Sequence, residues 1–209
     1  MPRVSEVARL VERASPRIPD PSPRLEQYTT PGDIAARLAN WIALHEDLEF
    51  NRIVDLGAGT CRLSIALALY GARYIIGVDA DPRLAGYCRK AFSAIGSSSL
   101  QGYIVSVIKR GSSLLRQRAV DLVVTNPPFG VQRRGMDTVF LEYAMSLGVE
   151  RVYAILKTGN EQYHSRLAAR HGYSHRVLYR ERFPIPATME HHRSRMRRVM
   201  VNVAVFEKI

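Results

Sequence analysis

The stretch "IVDLGAGTCRL", residues Ile53–Leu63, decides the fold, because a buried strand, a glycine turn and a helix are predicted there in immediate succession. Gly57 and Gly59 allow the backbone to approach a ligand closely, and the helix that follows presents free N–H groups. The turn departs from the dinucleotide-binding pattern G-x-G-x-x-G, since Arg62 occupies the third glycine position and the acidic Asp55 ends the strand. We therefore expect a ligand without a pyrophosphate group.

Outward from this stretch, short apolar strands alternate with helical segments, which predicts right-handed crossovers and a mostly parallel, doubly wound sheet. A helix is predicted from Pro31 to about His45 with Thr30 as its N-cap, and a short amphipathic helix precedes the turn-rich "SPRIPDPSPR". We expect one α/β domain, 1–209, with an N-terminal helix and lid segment in 1–30 and a Rossmann-like core in 31–209. The predicted strands run near Arg52–Leu56, Tyr74–Val78, Gly102–Val107, Val120–Thr125, Val152–Leu156, His175–Tyr179 and Met200–Phe206.

Asp79 ends the second strand, at the spacing from the glycine turn where a carboxylate accepts hydrogen bonds from both hydroxyls of a ribose. Asp81, which precedes a proline, is interpreted as a helix cap. The D-x-G-x-G spacing resembles the S-adenosyl-L-methionine site of class I methyltransferases, whose Rossmann-like sheet has seven mostly parallel strands. The cofactor-binding residues expected from this resemblance and from the motif below are Asp55, Gly57, Gly59, Thr60, Asp79, Ala80 and Asn126.

The stretch "VVTNPPFG", residues 123–130, ends the fourth strand with an amide and two prolines, which cannot donate to a β-ladder. Asn126 can accept one N–H of a substrate amine through its side-chain oxygen, and the Pro127 carbonyl, locked by the proline rings, can accept the other. Phe129 can then stack on a flipped-out base. Positioning supplies most of the catalysis, so no strong general base is required. The stretch resembles the N-P-P-[FYW] signature of methyltransferases acting on planar amino groups, with Asn126, Pro127, Pro128 and Phe129 as catalytic candidates.

The stretch "LEQYTTPGDIAARL", Leu25–Leu38, joined to "DLGAGT", "GVDAD", "NPPFG" and "GMDTVFLEYA", resembles the methyltransferase-like protein 5 family of eukaryotes and archaea. That resemblance implies N6-adenine methylation of small-subunit ribosomal RNA, and it places Gln27, Tyr28 and Thr30 in the cofactor pocket. It also implies a small zinc-binding activator protein as a partner. The chain departs from the family after the third strand, where "SVIKRGSSLL" lacks the acid that recognises the cofactor's adenine, leaving backbone groups or Ser112 and Ser113 as substitutes.

The formal net charge of +11 predicts a polyanionic partner, with nucleic acid as the first expectation, because basic side chains that neutralise phosphates release condensed counterions. The charge is concentrated between His164 and Arg198, a stretch without Lys or Asp. The connection after the sixth strand should leave the sheet at the same edge as Asn126 and form an extended arm. The residues expected to contact RNA are Arg133, Arg134, Arg182, Arg193, Arg195, Arg197 and Arg198.

The two cysteines, Cys61 and Cys88, have neither C-x-x-C nor metal-ligand spacing, so we interpret them as packing residues in a reducing compartment, expect no metal site and place the protein in the cytoplasm. Two other substrates remain open at this stage, namely N2 of guanine in ribosomal RNA and the glutamine amide of release factors. A solvated Arg-rich surface or an RNA-binding module without enzymatic activity also fits the charge, although the module leaves Asp79 and Asn126 without a purpose.

Overall fold

The computed structural model describes residues 1–46, 48–49, 51–130, 134–186 and 196–209. The helices are α1 (Val4–Ala14), α2 (Gly32–His45), α3 (Arg62–Leu69), α4 (Leu84–Ala94), α5 (Met136–Ser146) and α6 (Glu161–Arg170). The strands are β1 (Arg52–Leu56), β2 (Tyr74–Asp79), β3 (Leu100–Val105), β4 (Leu122–Thr125), β5 (Arg151–Lys157), β6 (Tyr173–Pro186) and β7 (Met196–Lys208).

The strands form one seven-stranded sheet in the order β3-β2-β1-β4-β5-β7-β6. β1 pairs in parallel with β2 and β4, and β7 is antiparallel to both β5 and β6. The prediction of a mostly parallel, doubly wound sheet is therefore confirmed, as is the prediction that β6 runs parallel to β1. The carboxyl ends of β1, β2 and β4 meet at one edge, which is where such sheets bind ligands.

Alternation along the strands divides the core into two apolar layers. Ile53, Leu122 and Val203 belong to the layer that α1 to α4 cover, and Val54 and Val123 belong to the layer that α5 and α6 cover. Helix α1 is part of this core through two fully buried valines, Val7 and Val11. The N-terminal helix is thus packed against α2 and α3 and is not a detached arm.

The extended arm predicted after the sixth strand, His175–Tyr179, is largely a continuation of β6 together with the start of β7. Val177 lies level with Ala154, which in turn lies level with Thr125 at the end of β4. The last nine residues of β6 therefore run beyond that edge, by about 30 Å at a rise of about 3.3 Å per residue. Arg198 lies near the start of β7, as expected, whereas residues 187–195 between the strands lie outside the described residues.

Two predictions about local structure are wrong. Cys61 and Cys88 are joined in a disulfide with Cα atoms 5.2 Å apart, so they are not free packing thiols, and the cysteine argument for a reducing compartment fails. The bond ties the start of α3 to α4. Helix α2 begins at Gly32 with Pro31 as its N-cap residue, and the Thr30 side chain does not cap it. No helix within the described ranges is long and apolar enough to cross a membrane.

Candidate active site at the carboxyl ends of the central strands

A cleft opens where β1, β2 and β4 end, and the segment between α1 and α2 closes over it. This segment, residues 15–31, is called the strap below. The cleft is mainly apolar with several polar groups, as expected for a small-molecule site. The predicted site residues that line it are Gln27, Tyr28, Thr30, Gly57, Gly59, Thr60, Asp79, Ala80, Asn126 and Pro128.

The glycine turn follows β1 with both glycines at positive φ, 74° for Gly57 and 56° for Gly59. The N–H groups of Gly57 and Ala58 donate to the Val78 carbonyl at 2.8 and 3.0 Å, which ties the turn to the end of β2. A Cβ at Gly57 would lie 3.2 Å from a ring carbon of Phe140. Conformation and close packing together therefore require glycine there.

Asp79 faces this turn from the end of β2. One carboxylate oxygen accepts the Gly59 N–H and the other accepts the Asp81 N–H, each at 2.9 Å. Each oxygen keeps a second lone pair, so the geometry leaves capacity for two hydroxyl donors. Burial raises the pKa of Asp79 above its usual value, while the backbone donors oppose that rise.

Asp55 does not reach the cleft, contrary to the expectation that it contacts the cofactor. It is buried beneath the turn, where the Ser64 hydroxyl donates to one of its oxygens at 2.6 Å. Burial raises the pKa of Asp55 to about 7. Asp55 lies one residue before the end of β1, and its side chain is on the face of the strand that α3 covers. It therefore lies below the strand end where the cleft opens.

Several predicted cofactor residues use their side chains to hold the strap. Gln27 donates to Asp81 at 3.0 Å and accepts the Ser22 N–H at 2.7 Å. Asp81 also binds the Arg83 guanidinium, which lowers the pKa of Asp81 to about 2, and it accepts the Arg83 N–H in the turn before α4. The Thr60 hydroxyl donates to the Pro16 carbonyl at 2.9 Å.

Asn126 lies directly after β4, with its amide oriented by the strap. Its nitrogen donates to the Thr30 hydroxyl at 2.9 Å. Its amide oxygen is buried, and no hydrogen-bond donor reaches it from the described residues. A buried acceptor without a donor destabilises a protein, so its presence needs an explanation. An N–H group of a bound ligand would be the missing donor. Sequence patterns indicated a helix cap and a cofactor contact for Thr30, whereas this hydrogen bond to Asn126 was not predicted.

Phe129 is not open to a base in this conformation. Its ring stacks on Tyr28 with centroids 5.5 Å apart and meets Phe183 of β6 edge-on at 5.2 Å, and the residue is only 8% exposed. The prediction that a base stacks on Phe129 therefore requires Tyr28 to move. Neither aromatic partner could be identified from spacing, since both come from distant segments.

Arg62, which replaces the third glycine of the dinucleotide pattern, holds both ends of the strap. It is buried on α3 and donates to the carbonyls of Ser15 at 2.8 Å and Thr30 at 3.1 Å. Its two terminal nitrogens also bind the carboxylate of Glu12 on α1 at 2.7 and 2.8 Å. This guanidinium thus joins α1, α3 and the strap in one network.

After β3 the cleft is lined by Ser106, Val107 and Ile108, in place of the acid that the family carries. Ser112 accepts the Lys109 N–H at 2.9 Å, and neither it nor Ser113 lines the cleft. Lining residues that sequence analysis missed include Glu26 on the strap and Phe140 on α5.

The expected RNA-contacting residues are only partly described. Arg182 and Arg198 are exposed, and they lie on the same face of the hairpin of β6 and β7 because Arg198 pairs with Pro184, two residues along β6 from Arg182. Arg134 is exposed just before α5. Arg133, Arg193 and Arg195 lie outside the described residues, and for Arg197 only the backbone pairing with Ile185 is described.

Comparison with known proteins gives consistent matches. Residues 33–182 match the family model of the methyltransferase small domain. The chain is 32% identical to the rRNA N6-adenosine-methyltransferase Mettl5 of Drosophila melanogaster, over 88% of this chain and 86% of that protein. It is 28% identical to the Danio rerio protein of the same name, over 90% of each chain. A solved structure from Pyrococcus horikoshii, described as a candidate RNA methyltransferase, superposes with a TM-score of 0.84 at 30% identity, covering 100% of this chain and 99% of that chain.

Proposed function

Because the chain belongs to the methyltransferase-like protein 5 family and has a methyltransferase small domain, we propose that it transfers a methyl group from S-adenosyl-L-methionine to N6 of an adenine in small-subunit ribosomal RNA. The buried amide oxygen of Asn126, which no described residue satisfies, carries this proposal. Asn126 lines the cleft, and an exocyclic amine bound there would donate to this oxygen.

The residues of the cleft fit S-adenosyl-L-methionine. Asp79 retains lone pairs for the two ribose hydroxyls, and the turn at Gly57 and Gly59 has no side chain that would block the methionine part. Ser106 to Ile108 and Ala80 would surround the adenine, with backbone groups in place of the missing acid. When bound, the cofactor supplies an electrophilic methyl group on its sulfonium.

Asn126 and Pro127 would orient the substrate. The Asn126 oxygen accepts one N–H of adenine N6 and the Pro127 carbonyl accepts the other, so the nitrogen is held in one orientation. The hydrogen bond to Thr30 keeps the amide from rotating and presenting its NH₂ group to the amine. The strap excludes water above the site. Orientation is the main contribution of these residues, since a well-placed reactant pair needs little further activation.

RNA would approach along the hairpin of β6 and β7, which runs past the catalytic edge. We propose that Arg182, Arg193, Arg195, Arg197 and Arg198 contact phosphates beside the target base, with Arg133 and Arg134 near the start of α5. Exposure of Arg182 and Arg198 on one face of the hairpin supports this assignment. Such contacts position the RNA without reading its sequence.

A zinc-binding activator protein would dock on β3, the strand at the end of the sheet opposite to β6. Val105, the last residue of β3, is 49% exposed, so the described part of this edge offers an apolar side chain on an open strand. Strand addition uses such an edge. Val105→Lys should weaken binding of the activator in calorimetry, whereas Leu44→Lys, at an exposed leucine on α2, should not. Equal binding by both variants would contradict the docking site.

The function is tested by incubating the protein with radiolabelled S-adenosyl-L-methionine and either small-subunit RNA, large-subunit RNA or a release factor, followed by nucleoside and amino-acid analysis. We expect N6-methyladenosine in the small-subunit RNA alone. Asn126→Ala should reduce its formation at least about 100-fold with little change in cofactor affinity. Methylated guanine or methylated glutamine as the product would reject the adenine assignment.

A further inference from the structure

The ring of Tyr28 covers the face of Phe129 on which a base would stack. The two rings lie within 18° of parallel, with centroids 5.5 Å apart. The Phe129 ring is fixed on another side by the edge-on contact with Phe183. A base can therefore reach the face of Phe129 only by passing between the two rings or by displacing Tyr28 altogether.

We propose that Tyr28 is the second wall of the base-binding slot, and that the target adenine inserts between the rings of Tyr28 and Phe129. This inference rests on the proposed function. A planar base between two aromatic rings needs them about 7 Å apart, because each layer of stacked carbon atoms takes about 3.5 Å. The ring centroids are 5.5 Å apart, so the gap between the ring planes is at most that distance, and the rings must separate by at least about 1.5 Å to admit the base.

The surroundings of the two rings determine which one moves. Phe129 follows two prolines and is 8% exposed, so its position is set by the end of β4 and by the core. Tyr28 is half-buried on the strap, which Arg62 holds at Ser15 and Thr30. The backbone beside Tyr28 is also held, through Gln27 at Asp81, so rotation of the Tyr28 side chain opens the slot while these anchors stay in place.

The slot also explains why the strap binds Asn126. Tyr28 is two residues from Thr30, whose hydroxyl accepts the Asn126 amide N–H at 2.9 Å. The same short segment thus orients the acceptor for the amine and supplies one face for the ring of the same base. Tyr28 is then a substrate-contacting residue in addition to its expected place in the cofactor cleft.

The test compares variants of Tyr28 in steady-state methylation of RNA at saturating S-adenosyl-L-methionine, with cofactor affinity measured separately by calorimetry. Tyr28→Leu keeps an apolar side chain of similar reach but has no aromatic face, and Tyr28→Phe keeps the face. We expect Tyr28→Leu and Tyr28→Ala to lower kcat/KM for RNA by about 5-fold to 150-fold, the range for loss of one base-stacking partner. Tyr28→Phe should recover most of that loss. Tyr74→Ala, at an exposed tyrosine at the amino end of β2, should have the activity of the wild type.

Three outcomes would contradict the proposal that Tyr28 is a wall of the base-binding slot. Equal or higher kcat/KM for Tyr28→Ala would mean that Tyr28 only shields Phe129 in the free protein. A loss that appears equally in cofactor affinity would make it a cofactor contact alone, and equal activity of the Leu and Phe variants would make it a packing residue. A wild-type protein that forms no N6-methyladenosine would reject the proposed function itself, whereas a fully active wild type with an unaffected Tyr28→Ala rejects only the slot.

Discussion

At the scale of single residues, the site depends on polar groups whose partners are set by their neighbours. The amide nitrogen of Asn126 donates to the Thr30 hydroxyl, whereas its buried amide oxygen has no donor among the described residues. Leaving that oxygen unsatisfied costs about 1–3 kcal/mol of stability. Asp55 and Asp79 are adjacent carboxylates with separate tasks, since Asp55 supports the turn from below and Asp79 faces the cleft.

Replacement of Thr30 by valine tests the orientation of the Asn126 amide. Val keeps the shape of Thr but cannot accept the amide N–H, so we expect kcat/KM for RNA to fall about 5-fold to 10-fold, in line with a net hydrogen bond of about 1 kcal/mol. Thr30→Ser, which keeps the hydroxyl, should stay near the wild type. Identical rates for the two variants would show that Thr30 does not position the amide.

The buried carboxyl of Asp55 predicts a defined dependence of stability on pH. Its pKa is about 7 in the folded protein against a usual value of 3.8, so between about pH 4 and 7 the folded state binds a proton that the unfolded state lacks. This group therefore stabilises the fold less and less as the pH rises through that window. The free energy of unfolding of Asp55→Asn minus that of the wild type should therefore be larger at pH 8 than at pH 5, as measured by urea unfolding of both proteins at both pH values. A difference independent of pH would contradict the raised pKa.

At the scale of secondary-structure elements, α1, α3 and the strap act as one unit through Arg62. The side chain of Arg62 is 4% exposed, so its charge relies on Glu12 and on the two strap carbonyls. Glu12 also accepts the Gly32 N–H at 2.8 Å, which connects the start of α2 to the same network. Closure of the strap over the cleft should therefore depend on α1, although the described residues of α1 do not line the cleft.

Glu12→Gln tests this connection. The neutral amide leaves the buried guanidinium without its counter-charge, and we expect a loss of about 1.5–3 kcal/mol in the free energy of unfolding, the usual range for hydrogen bonds to charged groups. Because the strap loosens, the dissociation constant for S-adenosyl-L-methionine should rise as well. The matched control is Glu6→Gln, an exposed glutamate on the same helix, which should change neither quantity. Lower stability with unchanged cofactor affinity would mean that the network supports the fold but not the closed strap.

At the scale of the whole molecule, the hairpin of β6 and β7 brings basic side chains past the edge where Asn126 lies. The net charge of +11 favours binding to polyanions in general, whereas the hairpin gives that charge a location. The location can be tested separately from the total charge, because α1 also carries exposed arginines.

Replacement of Arg193, Arg195 and Arg197 together by alanine should weaken RNA binding most at low salt. Removing one arginine–phosphate interaction lowers the slope of log affinity against log salt by about 0.7–0.9, so the slope should fall by up to about 2.7 units while cofactor affinity is unchanged. The control with the same change in charge is Arg3, Arg9 and Arg13 replaced by alanine, all exposed at α1. If the control lowers the slope and the hairpin variant does not, RNA binds along Arg133, Arg134 and the N-terminal arginines.

The sequence alone determined the succession of strands and helices along the chain, the mostly parallel character of the sheet, the glycine turn and the place of Asn126 at the end of β4. These features follow from local patterns, because alternation, glycine and proline act on the residues beside them. The spacing of Asp79 from the turn likewise follows from the length of one strand–helix–strand unit, and the structure places it in the cleft.

Only the tertiary structure decided which side chains from distant segments meet. Thr30 and Asn126 are 96 residues apart, Glu12 and Arg62 are 50 apart, and Cys61 and Cys88 are 27 apart. No local pattern encodes such pairs, since each depends on the order of the strands in the sheet and on the closure of the strap over its edge. The same reason explains why Asp55 lies beneath the turn and why Tyr28 covers Phe129, two arrangements that change the roles which sequence patterns had indicated for these residues.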